Sequence, residues 1–232
     1  MTRFMTVVGI MCLPVIVQAQ NFTKQELEEW FFDESDAESL ALEVNEGELE
    51  FINAAPEKDV YHHLNVLTIT DSSLDDGIVT LRQCHGNIDR VGRAQIMFSR
   101  TRVTDLKIVE VANIEKAWVE DNSVQLEDIK KGARLCVQAR SKALTRNADG
   151  SYVLKNGPFM RKFLDGYYPM HVSIDVRLKT SSLHFTSTEP VAQRGFKVWQ
   201  TPGAVHADAW FEGRLRTAFY FYSDREVSRL SR

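Results

Sequence analysis

The chain has 232 residues, 44% of them hydrophobic and 26% charged, with a formal net charge of −4. That balance excludes a collagen-like, low-complexity or wholly disordered polymer and predicts a packed core. The slightly acidic total offers no footing for nucleic acid, and none is expected as a partner.

At the N-terminus, Arg3, an apolar run over residues 4–17 and Val17-Gln18-Ala19 read as a secretory signal peptide cleaved after Ala19. The run of about 14 residues falls short of the roughly 20 that a spanning helix needs. No other stretch comes near that length. The expectation is export, in a bacterium to the periplasm, with no transmembrane segment in the mature chain. Cys12 leaves with the leader, and Cys84 and Cys136 remain. Two cysteines in an exported chain, with no Cys-x-x-Cys, predict a structural disulfide.

Charge is unevenly spread. Residues 21–60 hold 13 acidic side chains against Lys24 and Lys58, whereas residues 61–232 carry a net +6. An acidic arm over 20–59 therefore precedes a mildly basic body over 60–232. The arm opens on a short helix, with Thr23 as cap, Glu26 at the capping-box position and Leu27, Trp30 and Phe31 on one stripe. Residues 48–52 are a candidate first strand, and Pro56 with Glu57-Lys58-Asp59 marks the boundary. The arm is expected to solubilise the protein or to lie across the basic face of the body.

The body reads as β. Strands are expected at 63–70 and 78–84, on either side of Asp75-Asp76-Gly77, and at 94–100 and 103–111, joined by a tight polar turn. Segments 142–146 and 151–155 flank Asn147-Ala148-Asp149-Gly150, a hairpin signal. Val172, Ile174, Val176 and Leu178 alternate with Ser173, Asp175 and Arg177, and residues 213–222 form a last alternating strand. Pro158 with Phe159 and Phe163 predicts one or two helical turns over 158–164. The expected fold is mainly β: an antiparallel β-sandwich, in one piece or as two subdomains meeting near 156–168, with those two short helices. Period two places Cys84 with Thr80 and Arg82, and Cys136 with Arg134, Gln138 and Arg140. Both cysteines fall on polar strand faces, so their bridge should staple neighbouring strands, or a loop to a strand, on an outer surface.

Gly-x-Ser-x-Gly, His-Glu-x-x-His, Walker and Gly-x-Gly-x-x-Gly motifs are absent from the sequence. No cofactor is expected. Nor is a metal: His62 and His63 point to opposite faces of one strand, and only His63 and His85, beside Cys84, make a set with ligand chemistry. The loop from Asp71 to Gly77 has oxygens at alternate positions but neither the glycine nor the closing glutamate of a calcium loop.

Asp208, Trp210 and Glu212 share a strand face with His206, an aromatic platform flanked by acids that suits a sugar. Four residues of strand hold Asp208 and Glu212 about 13 Å apart, beyond the roughly 5–9.5 Å of glycosidase carboxylate pairs. That face therefore reads as a polar outer surface with one half-covered tryptophan. Two interaction surfaces are candidates. Arg214, Arg216, Tyr220 and Tyr222 line up along the last strand, and Arg161 and Lys162 lie in a mixed apolar and basic segment. Interleaved arginine and tyrosine suit a polyanion, a glycan or an acidic protein surface. The expected function is a non-catalytic exported protein with a binding or envelope-assembly role. The alternative is an envelope hydrolase acting on glycans through scattered carboxylates.

Overall fold

Alternating apolar residues fold as strands here because one face of each can be buried against a second layer. The computed structural model describes residues 48–53, 60–163, 166–180 and 182–224. The segments expected to form a signal peptide and a helix near Thr23, most of the acidic stretch and the expected boundary at Pro56 lie outside them. The described residues are mainly β. The strands are β1 (Glu50–Phe51), β2 (His62–Thr70), β3 (Ile78–Ile88), β4 (Arg93–Met97), β5 (Val103–Glu120), β6 (Ser123–Lys142), β7 (Leu144–Arg146), β8 (Tyr152–Phe159), β9 (Lys162–Phe163), β10 (Gly166–Tyr167), β11 (Met170–Lys179), β12 (Leu183–Glu189), β13 (Phe196–Thr201), β14 (Ala204–Glu212) and β15 (Leu215–Ser223).

The larger sheet runs β14-β11-β2-β3-β6. Strands β1 and β13 pair with β14, and β4 and β5 pair with β6. The smaller sheet runs β12-β15-β8-β7, and β9 with β10 forms a separate ribbon. Leu67, Ile69, Val172, Ile174, Val176, Val205 and Phe211 of the larger sheet share one buried cluster with Leu154, Leu215, Phe219 and Phe221 of the smaller. Each such side chain contributes roughly 1.5–3 kcal/mol on burial. A second cluster gathers Ile88, Phe98, Val124, Leu126, Leu135 and Val137 around β6.

Four expectations change. The sheets are not wholly antiparallel, because β2 and β11 run parallel. The long excursion through β3 to β10 supplies the crossover that a parallel pair requires. The helix expected over 158–164 is not formed among its described residues: Pro158 and Phe159 end β8, and Lys162–Phe163 is β9. Phe159 pairs with Leu215 of β15, and a sheet partner at that position overrides the local i, i+4 preference. Strands β4 and β5 do not form a hairpin, since β6 lies between them and pairs with both. The last strand begins at Leu215 instead of Gly213, where a φ of 86° turns the chain from one sheet into the other.

The cysteines stand directly opposite each other on β3 and β6, with Cα atoms 4.1 Å apart and sulfurs at a bonding distance of 2.13 Å. They lie on the face expected, and the bridge does staple neighbouring strands. It is nonetheless buried, Cys136 completely. Glu110 of β5 accepts from Arg82 at 3.2 Å and from Arg134 at 3.0 Å, and its Oε2 lies 3.4 Å from Cys136 Sγ. Long charged side chains thus roof a bridge that period-two reasoning places on a polar face.

Candidate functional site

Strand β11 lies between β2 and β14, and its alternation decides what faces out. Val172, Ile174 and Val176 are buried in the core, which turns His171, Ser173 and Asp175 to the opposite face. Register then sets their neighbours. His171 lies opposite His62 on β2 and Trp210 on β14, Ser173 opposite Asp208, and Asp175 opposite His206. Three rows of polar and aromatic side chains result, running across the strands.

In the first row the rings stack on one another. Trp210 and His171 have centroids 4.1 Å apart with planes 7° apart, and His171 and His62 are at 4.2 Å and 15°. These separations are close to the ~4.8 Å between neighbouring strands, so the stack runs along the width of the sheet. In the third row His206 stacks on Trp199 at 5.1 Å, while its Nδ1 lies 2.7 Å from Asp175 and its Nε2 2.9 Å from Thr201 Oγ1.

The second row fixes the protons. Asp208 Oδ2 is 2.9 Å from Ser173 Oγ and 2.8 Å from His171 Nε2, and His62 Nε2 is 2.9 Å from Ser173 Oγ. Ionised Asp208 can only accept, so the single serine proton points to it and His62 must donate from Nε2 to the serine oxygen. The wiring is His62 to Ser173 to Asp208, with His171 donating to the same carboxylate oxygen. Burial alone would raise the Asp208 carboxyl, but the hydrogen bonds from His171 and Ser173 and the charge of His171 outweigh it and hold it below the usual range. Burial and the neighbouring His171 lower the basicity of His62.

Serine, histidine and aspartate are all present, yet the arrangement is not that of an acyl-transfer triad. There the histidine takes the serine proton on one nitrogen and gives the other to the acid. Here His171 meets Asp208 through Nε2, and the same nitrogen is the one 3.5 Å from Ser173. The hydroxyl is spent on a carboxylate, not on a base. Among the described residues no three His, Cys, Asp or Glu side chains are placed to hold a metal ion.

His63 and His85 face the other way. They lie opposite each other on β2 and β3, with rings 4.7 Å apart, both buried. Cys84, the third member of the ligand set considered from sequence, is held in the disulfide. His63 Nε2 donates to Asn65 Oδ1 at 2.9 Å, and Gln83 Nε2 donates to His85 Nε2 at 2.9 Å. That leaves the His85 ring proton on Nδ1, directed at the Tyr61 hydroxyl. Burial keeps both histidines neutral, pushing His63 down to about 4 and His85 well below its ordinary value.

The residues singled out from sequence are partly brought together. Arg216, Tyr220 and Tyr222 share the outward face of β15, whereas Arg214 precedes that strand. Strand β15 lies between β12 and β8 and is not an edge, so the face does not serve to blunt one. Tyr220 donates to Glu189 at 3.0 Å, and Tyr222 stacks on His184 at 4.7 Å beside an open cavity of about 500 Å³. Arg161 and Lys162 are engaged elsewhere. Arg161 makes a two-pronged contact with Asp89 at 2.7 and 3.3 Å and reaches Pro169 O at 3.4 Å, and Lys162 Nζ lies 5.9 Å from the Tyr167 ring. The Asp71–Gly77 segment holds a single helical turn, Ser73–Asp76, after which the Ile78 N–H donates to Asp76 Oδ1 at 2.8 Å.

Asp208, Trp210 and His206 do share a face, as their spacing requires, but Glu212 takes no part in the rows. What sequence reasoning missed is the other half of the site. His62 and Ser173 stand 111 positions apart and meet only through the parallel pairing of β2 with β11. The one available signal was the polar face of 172–178, on which Ser173 and Asp175 alternate with core residues. Comparison with protein families, with characterised proteins and with solved structures finds no match for this chain.

Proposed function

We propose that the protein is a non-catalytic exported β-sandwich that binds a partner through the His62, His171 and Trp210 face of its larger sheet. The observation that carries this reading is the direction of the Ser173 hydroxyl, which is committed to Asp208 and leaves no activated nucleophile among stacked rings. The rings offer flat surfaces, and Asp208 and Asp175 offer acceptors already oriented by histidines, which is equipment for recognition. Export is supported by the paired cysteines, which suit an oxidising compartment, and by the leader-like residues 1–19. Among the described residues no helix is long and apolar enough to cross a membrane.

Glycan hydrolysis would need one carboxyl kept protonated to serve as acid and a second within reach. Asp208 is held the opposite way, as a carboxylate, which weighs against that alternative. The test is retention of envelope extract, fractionated into glycan, peptide and small-molecule pools, on immobilised protein and on a His171→Ala, Trp210→Ala double variant. The reading expects a saturable component held by the native protein and released by the variant. Equal retention by both would overturn it.

A further inference from the structure

The row of stacked rings stops at His62, and the next position in the same row is a glycine. Gly86 of β3 lies opposite His62, and Arg134 of β6 lies opposite Gly86. A Cβ placed on Gly86 would meet only the Cβ and the carbonyl oxygen of His62, both at 4.0 Å, and nothing else within 4 Å. A side chain added at this position would therefore meet no steric clash. One face of the His62 ring is covered by His171 at 4.2 Å. Because the stack runs across the strands, the other face looks over Gly86 toward Arg134. Two strand spacings separate His62 from Arg134, roughly 9–10 Å between backbones, about twice the 4.1–4.2 Å interval of the ring stack.

The charge around this gap is directional. Arg134 gives Nε to Glu110 at 3.0 Å, and its side chain remains half exposed. Arg82 shares the same carboxylate at 3.2 Å, so two guanidinium groups are balanced by one acid and a positive charge is left over. On the far side of the stack, Asp208 and Asp175 present negative charge. An anionic group is therefore steered to the Arg134 side and away from Trp210. His62, of lowered basicity, contributes a flat surface with little charge of its own.

We propose that the gap over Gly86 binds a planar aromatic ring bearing a carboxylate, stacked on His62 with its carboxylate toward Arg134. The ring continues the 4.1–4.2 Å array formed by Trp210, His171 and His62. Its opposite face meets the Arg134 guanidinium, a plane that stacks well on aromatic rings. This assignment rests on the recognition reading above and names the ligand class for its open end.

The test uses three probes on the full exported protein, followed by NMR of the isotope-labelled chain. 4-Hydroxybenzoate is planar and anionic, 4-hydroxybenzamide planar and neutral, and cyclohexanecarboxylate anionic but not planar. Saturable shifts centred on His62, Gly86 and Arg134 are expected with 4-hydroxybenzoate. Binding of the amide should be about ten-fold weaker, as expected when a charge-assisted contact is lost, and cyclohexanecarboxylate should not saturate. Gly86→Val fills the gap where a Cβ is sterically free and should abolish binding with the fold intact. Arg134→Gln, at an exposed position, is a second variant and should weaken 4-hydroxybenzoate to the level of the amide. Equal binding of cyclohexanecarboxylate, indifference to both variants, or no saturable shift would each overturn the assignment. Shifts centred on Trp210 and Trp199 and unmoved by Gly86→Val would overturn the slot while sparing the wider recognition face.

Discussion

Lowering the pH from 7.5 to 5 should destabilise this protein through the buried histidine pair. His63 and His85 are 8% and 2% exposed and are hydrogen-bonded as neutral rings to Asn65, Gln83 and Tyr61. The folded protein holds His63 at about 4, against 6.5 in an unfolded chain. Between those values the unfolded state binds the extra proton, so stability is complete above pH 6.5 and is lost as pH falls toward 4. At about 1.36 kcal/mol per unit, His63 alone removes roughly 2 kcal/mol by pH 5 and roughly 3 kcal/mol by pH 4. His85 acts in the same direction. The assay is urea unfolding at pH 7.5, 6 and 5 for the native protein and for His63→Gln, whose amide can still donate to Asn65 but does not titrate. The variant should start less stable and then lose about 2 kcal/mol less than the native protein on acidification to pH 5. Parallel losses in the two proteins would refute the reasoning, because carboxylates common to both would then explain the whole effect.

Two further outcomes test the packing. Phe219 is fully buried where the two sheets meet, so Phe219→Ala should cost about 3–5 kcal/mol in urea unfolding, and a loss below 1 kcal/mol would contradict a shared core. Replacing both Cys84 and Cys136 by alanine frees a 52-residue separation and should remove up to about 4 kcal/mol. Oxidant-independent stability, equal in the native and double-alanine proteins, would show that the bridge contributes nothing.

Local chemistry was readable wherever one residue's neighbours along the chain decided its fate. Asn147-Ala148-Asp149-Gly150 does join β7 to β8, which pair from Leu144 with Leu154 to Arg146 with Tyr152. Val172, Ile174 and Val176 do bury one face of β11. Both cysteines lie on the strand faces that alternation assigns. The helix over 158–164 was misread because Phe159 finds a ladder partner in Leu215, more than fifty residues away, which no local pattern announces. The site escaped for the same reason. His62 looked like half of an adjacent histidine pair split between two faces, and that split is real: His63 enters the core and His62 joins the stack. Its partners come from β11 and β14 through one parallel and one antiparallel pairing. Asp208 and Trp210 were visible as a site-like cluster, but their roles depend on His171 and Ser173 lying in register beside them.

The non-catalytic reading turns on where the Ser173 proton goes, and a serine-directed fluorophosphonate interrogates that directly. Intact-mass and peptide mass spectrometry after prolonged exposure should find Ser173 unmodified in the native protein, because its hydroxyl donates to Asp208 and the His62 Nε2 at 2.9 Å donates to the serine oxygen instead of taking its proton. Stoichiometric modification at Ser173, lost in His62→Gln or His171→Gln, would contradict the account and make this face a catalytic centre.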